Sequence, residues 1–516
     1  HIMSASTEKK NRQAAREAGT DKKLLAAQEE AKKQAKSKRR WTIGTILVVL
    51  LIAAIIFLDS GFLYKNTTAV SVGGENYSPA EMNYQYASQY YNWVNQYGSY
   101  ASMFGLDTST GLSGLGSQDS AMSDGGTWKD FFLDRAVETL VQNKALLDYA
   151  AENGITLTDD EKATIDSDVD SVASYAKLQG YSSADNFLAA NYGTGVNTKI
   201  AKQVGYESSL ASKAAQEYAD SLEYTDAQLE EQYASYNGER DYFDIVYYYS
   251  AAETVAAEDG TEAATEETIA AAKATADDVL AAYDAAEGDD VEARLNAALA
   301  EAGVDAECTH SSAVAGSALG AYKDWVMDGS RKAGDATVTP NANEDGYYVV
   351  AFISRNDNHY KLAQVRHILI KAEADENGEY TDEAKAAAKA RAEELYAEWK
   401  AGPATEESFA EMANEYSEDT GSNTNGGLYD SVRKGQMVEE FDEFCFAGHK
   451  SGDTAIVYGE SGSYAGYHII YYIGEGELCS NEIARTDLQS ADLESWLTGL
   501  TENYEAVKGF WFKLVG

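Results

Sequence analysis

At 516 residues with a formal charge of −44, the chain is long enough for about three domains of roughly 100–200 residues, and its acidity argues against nucleic-acid binding, which needs a cationic face. The charge is uneven, because residues 1–40 hold 12 Lys/Arg against 5 Asp/Glu, a net of +7 that leaves −51 for the rest. Three cysteines, Cys308, Cys445 and Cys479, stand apart without CxxC spacing or a histidine cluster, so neither a disulfide framework nor a metal site is indicated and only a single bridge stays open.

The first element is a basic tail over 1–40, rich in Ala, Lys, Gln and Glu. Trp41 to Leu58 follows as an uncharged run of 18 residues, WTIGTILVVLLIAAIIFL, long enough as a helix to span about 27 Å of hydrocarbon. Lys36, Lys38, Arg39 and Arg40 precede it and Asp59 follows. The positive-inside rule then predicts a single-pass anchor over 41–64, with the tail cytoplasmic and the bulk of the chain outside. A cleaved signal peptide is the rival, against which the run is longer than a usual apolar core.

From 65 to 238 the chain reads as all-helical. Tyr77 to Tyr100 has helix-compatible spacing, and 101–127 dissolves into Gly, Ser and Asp as a long loop. Thr127 is placed to cap a periodic helix from Trp128 to Asn153, which Gly154 stops. Further helices are predicted at 158–178, 183–192, 196–221 and 225–235. The stretch from Thr127 to Glu161, TWKDFFLDRAVETLVQNKALLDYAAENGITLTDDE, resembles the N-terminal domain of SurA-like and PrsA-like extracytoplasmic foldases. That resemblance implies a helical chaperone-like cradle for unfolded polypeptide.

After residue 240 a strand, helix, helix, strand order occurs twice, about 120 residues apart. In the first copy, 239–358, Tyr242–Tyr249 opens, Thr268–Ala285 and Val291–Ala302 are helical, and Gly346–Ile353 closes. In the second, 359–476, Lys361–Lys371 opens, Asp382–Lys400 and Glu406–Tyr416 are helical, and Gly466–Ile473 closes. YKDWVMDGSRKAGDATV from Tyr322 also matches FDEFCFAGHKSGDTAIV from Phe441. Residues 477–516 read as a helix and then a strand, which, as the resemblance to those foldases implies, complete the N-terminal helical domain. The expected fold is thus α+β and multidomain, with two tandem modules behind a helical region.

The second copy, through QVRHILIK, YSEDTGSNTNGG, GQMVEEFDEFCF and GYHII, resembles the parvulin family. The resemblance implies a small antiparallel sheet packed by helices, and peptidyl-prolyl cis-trans isomerase (rotamase) activity without a cofactor. It places His367, Asp419 and His468 in a hydrogen-bonded catalytic network and Met437 and Phe441, four apart on one face of a short helix, in the proline pocket. Where relatives read Gly-Gly-Asp-Leu-Gly-Trp-Phe this chain has GGLYDSV, so Tyr429 or Val432 is expected to replace an aromatic wall. The first copy has Tyr247 and Tyr348 at the histidine positions and lacks the Ser-Glu-Asp loop, which marks it as degenerate. Cys445 is expected to be an inert core thiol. The implied partners are unfolded or nascent secreted polypeptides with Xaa-Pro bonds, and the membrane through one N-terminal helix. A holdase without isomerase activity is the alternative.

Overall fold

A computed structural model describes residues 5–19, 22–59, 61–256 and 262–516, giving only the backbone in parts of 5–37 and in 53–59. The chain divides into two units, one of residues 1–222 with 492–516 and one of 223–491.

In the first unit, local capping chemistry sets the helices. The Thr127 hydroxyl accepts the Asp130 N–H while the Asp130 carboxylate accepts the Thr127 N–H at 2.9 Å, starting Trp128–Asn153, and Gly154 ends it. Asp159–Leu178, Ala184–Tyr192 and Thr198–Asp220 follow, each begun by a Thr, Ser or Asn cap. Such caps satisfy otherwise orphaned N–H groups and are worth about 1 kcal/mol each. Tyr86, Trp93, Trp128 and Phe132 pack a shared core with Val70, Val72 and Val515.

Two findings here differ from the sequence expectation. The segment 101–127 is not a structureless loop: short helical turns run through Gly98–Phe104, Thr108–Thr110, Gly111–Gly114 and Leu115–Ser117, because Leu106 and Leu115 are drawn into the core. A small sheet also forms, in which Val70–Val72 pairs with Glu75–Tyr77 on one side and with Ala506–Lys508 on the other. Among the described residues no helix is long and apolar enough to cross a membrane. The apolar run sits in the helix Lys22–Asp59, and its residues 53–58 have side chains outside the described set.

The second unit begins with the helix Asp226–Ser235 and holds two four-stranded antiparallel sheets of the same strand order. In the first, Tyr242–Ala251 lies between Thr309–Ala315 and Gly346–Asn356, and Ala336–Pro340 takes the far edge. In the second, Lys361–Lys371 lies between Leu428–Val432 and Tyr464–Leu478, with Thr454–Ser461 outside. Registers coincide: Tyr247 faces Val350 as His367 faces Ile470, and Tyr249 faces Tyr348 as Leu369 faces His468.

Side chains alternate across each strand, so the second sheet presents two faces. Ile368, Ile370 and Ile469 pack under the helices Asp382–Ala401 and Glu406–Tyr416 through Leu395, Trp399 and Phe409. Ala363, Val365, Ile470 and Tyr472 face the short helix Glu439–Phe446 through Phe441, Phe444 and Cys445. His367 and His468 share the parity of this second face, which puts both imidazoles under the short helix.

Candidate functional site

His367 and His468 are diagonal neighbours on adjacent strands, 3% and 4% exposed. Their rings stack 5.3 Å apart, with Nδ1 to Nδ1 at 3.1 Å. Asp419 enters from the loop after Glu406–Tyr416, its Oδ2 2.9 Å from His367 Nε2. The structure therefore brings together the three residues singled out in the sequence. The loop is held by close backbone contact: the His367 N–H donates to the Gly427 carbonyl at 2.8 Å. Gly427 has φ +69°, and a Cβ there would come within 2.2 Å of the His367 carbonyl oxygen, so only glycine fits.

Two members of the network were not identified from the sequence. The Ser422 hydroxyl donates to Asp419 and lies 3.1 Å from His367 Nε2. Tyr464 Oη lies 2.9 Å from His468 Nε2. Residues four apart on a strand share a face, and that parity is the signal linking Tyr464 to His468. Ser422 lay within the quoted loop motif, but its role depends on how the loop folds back.

One proton arrangement serves every contact. The Tyr464 hydroxyl donates to His468 Nε2, His468 Nδ1–H donates to His367 Nδ1, and His367 Nε2–H donates to the Asp419 carboxylate. Hydrogen bonds from His367 and Ser422, with the Gly421 N–H, hold the Asp419 carboxyl far below the usual carboxylate range. Burial lowers His468 to about 3, assisted by the neighbouring His367, so it stays neutral at ordinary pH. Tyr429 donates to Asp419 at 3.0 Å, and burial with the charge of Asp419 raises its phenol to about 12.

The expected pocket residues divide. Tyr429 stands 5.0 Å from the His367 ring and is half-buried, as is Met437. Met437 is not on the short helix, correcting the one-face reading of Met437 and Phe441. Val438 is the N-cap and its carbonyl accepts the N–H groups of Phe441 and Asp442, so the helix begins at Glu439 and Met437 precedes it. Met437 nevertheless packs against the same apolar cluster as Phe441. Val432 is wholly buried in that cluster and offers no surface to a ligand, because the register shift between Tyr429 and Val432 sets it opposite Ala363 on the face under the short helix. Phe441, 1% exposed, sets its ring edge-on to both imidazoles at 5.5 and 5.2 Å. Cys445 is buried and unpaired, with burial pushing its thiol up to about 12. Among the described residues no group of three or more His, Cys, Asp and Glu is placed to hold a metal ion.

This buried His-His-Asp chain under an aromatic ring is matched by family likeness. Residues 347–473 match the model described as the PPIC-type PPIASE domain. Residues 347–473 thus resemble a parvulin-type isomerase domain. It is similar to foldase protein PrsA 1 of Listeria monocytogenes, 34% identical over 142 residues that make up 28% of this chain and 40% of the relative. It is likewise similar to chaperone SurA of Hahella chejuensis, 38% identical over 110 residues, 21% of this chain and 23% of that one. The crystal structure of PrsA from Bacillus subtilis aligns over 74% of this chain and 89% of its own at 16% identity, with a TM-score of 0.28. The sequence match spans about two fifths of the length of the Listeria foldase. The parvulin match opens in the last strand of the first repeat and covers most of the second.

Proposed function

We propose that the chain is a peptidyl-prolyl cis-trans isomerase that also holds unfolded polypeptides outside the cytoplasmic membrane. The observation that carries this is the continuous Tyr464–His468–His367–Asp419 network in the second repeat. Rotation about an Xaa-Pro bond faces a barrier of about 18–20 kcal/mol from amide resonance, and no bond has to be made or cut. Catalysis needs an apolar seat for the proline ring and polar groups fixed so that they favour the twisted amide over both planar forms. Met437 supplies apolar surface at the rim. Asp419 and His468 fix the hydroxyl directions of Tyr429 and Tyr464, so these groups do not reorient while the amide twists.

The test is a protease-coupled assay on Xaa-Pro peptides with the purified chain. Catalysed isomerisation is expected, and His367→Ala should lower kcat/KM about 10²-fold, the scale for removing one preorganised polar group. A folded chain that accelerates nothing would leave a passive holdase. That second reading draws support from the burial of Val432 and Phe441, which narrows the apolar seat to Met437 and the tyrosines.

The placement outside the membrane rests on Trp41–Leu58 as a single-pass anchor, with residues 1–40 cytoplasmic. The continuous helix Lys22–Asp59 and the Lys/Arg cluster before the run support it. Alkaline carbonate should leave the chain in the membrane pellet; release into the supernatant removes the anchor.

A further inference from the structure

The chain holds 85 Asp/Glu in 516 residues, yet two segments of the first unit carry none. Residues 61–74 and 506–516 contain Lys65, Lys508 and Lys513 and no Asp or Glu. They are far apart in sequence and adjacent in the fold: Val70–Val72 pairs with Ala506–Lys508, and the Gly509 N–H donates to the Ala69 carbonyl at 2.7 Å. Tyr64, from the short helix Phe62–Asn66, and Leu514, from the helical turn Phe510–Leu514, line the same cleft.

The side chains of that turn divide. Phe512 packs on the core that holds Tyr86 and Trp128, and Val515 just beyond it is fully buried. Phe510 is instead 70% exposed, with the half-buried Trp511 edge-on to it at 5.0 Å. The Lys513 ammonium lies 3.6 Å from the Phe510 ring centre and 5.9 Å from that of Trp511. Phe62 and Val507 are exposed as well. Burial of Phe512 and Val515 thus fixes an aromatic pair and an ammonium in water, where large rings gain nothing.

A bilayer surface matches this chemistry. Aromatic rings beside Lys settle at headgroup level, with the rings toward the acyl boundary and the ammonium toward the phosphates. The location agrees. Ala69 is eleven residues past Leu58, the end of the apolar run, and with Phe62–Asn66 helical the link reaches at most about 30 Å. We propose that Phe510, Trp511 and Lys513, with Phe62 and Lys65 on the adjoining segment, form a second contact of the first unit with an anionic lipid surface. This rests on the single-pass anchor proposed above, which brings the patch to the bilayer. The lysines attract the headgroups that repel the acidic remainder of the chain. The contact therefore holds the unit down and turns its acidic surface away from lipid.

The test reconstitutes the full chain into vesicles of phosphatidylglycerol or of phosphatidylcholine, each brominated on its acyl chains, and reads tryptophan quenching. The difference between the unaltered chain and Trp41→Phe reports the anchor, and that between it and Trp511→Phe reports the patch. Trp511 should be quenched strongly in phosphatidylglycerol and weakly in phosphatidylcholine. Lys513→Gln, at an exposed position, should lower the ratio of quenched to unquenched Trp511 about fivefold, the effect of one basic side chain at an anionic surface. Quenching of Trp41 with none of Trp511 overturns the patch and leaves the anchor, whereas quenching of Trp511 alone upholds the patch and removes the anchor. Equal quenching in both lipids overturns the anionic preference. A Trp511 signal that ignores bromine but shifts with protein density identifies a contact between copies and overturns the lipid contact.

Discussion

The two repeats of the second unit carry the same triangle of rings and differ in what the rings are. In the first, Tyr247, Tyr322 and Tyr348 have centroids 5.4 to 6.0 Å apart. In the second, His367, Phe441 and His468 occupy the same three positions at 5.2 to 5.5 Å. The supporting backbone is shared as well: the N–H of Gly334 donates to Phe352 as that of Gly452 does to Tyr472, and Asp335 and Asp453 accept from the next strand alike. What the first repeat lacks is the loop that carries Asp419 and Ser422; its strand Thr309–Ala315 puts Ser311 opposite Ile245, where the second sets Tyr429 opposite Val365. A conserved scaffold geometry therefore does not make a site. The acid that orients the imidazoles and the loop that buries them are separate additions, and without them the ring positions are filled by half-exposed tyrosines.

The largest expected break in this parallel is in stability. Phe441→Ala removes a fully buried ring and should cost about 3–5 kcal/mol, whereas Tyr322→Ala, at the half-buried equivalent, should cost clearly less. Urea pulse proteolysis, with fragments of the two repeats separated by mass spectrometry, reads both. Equal losses would mean that the two triangles are packed alike.

Acid should separate the repeats next. In the folded second repeat His468 titrates near 3 instead of 6.5, so between those values the unfolded chain binds a proton that the folded chain refuses. Stability then falls as pH drops below 6.5, by up to about 1.4 kcal/mol per unit. The depressed Asp419 adds a loss only below its ordinary pKa of 3.8, as pH falls toward its folded value. The first triangle has no imidazole, so between pH 6.5 and 4.5 its repeat should hold steadier in the same proteolysis experiment. A parallel decline would refute the neutral, buried assignment of His468.

Much of this was legible in the sequence. Helix ends followed from caps such as Thr127 and stops such as Gly154, because capping is local chemistry. The equivalence of the repeats followed from the 120-residue offset, and the histidine pair from the resemblance to the parvulin family. The edge strands Thr309–Ala315 and Thr454–Ser461 were missed, since with few fully buried residues they show no clear apolar alternation. Met437 was misplaced because spacing alone cannot say where a helix starts, and Val432 because its inward turn depends on the register shift between it and Tyr429. Tyr464 and Ser422 acquire meaning only through tertiary contact.

The smallest effect sharpens the comparison at its polar end. Tyr464→Phe removes the donor to His468 Nε2 and should lower kcat/KM about two- to tenfold with little change in stability, the rim being half solvated. An unchanged rate would confine the working network to His367, His468 and Asp419.

The cysteines have a consequence of their own. All three are described and unpaired, and burial raises each thiol above its ordinary value, Cys445 to about 12 and Cys308 to about 11. Thiolate, the species that oxidises and exchanges, is therefore scarce at neutral pH. The fold owes nothing to covalent cross-links, so it should assemble equally well under oxidising or reducing conditions.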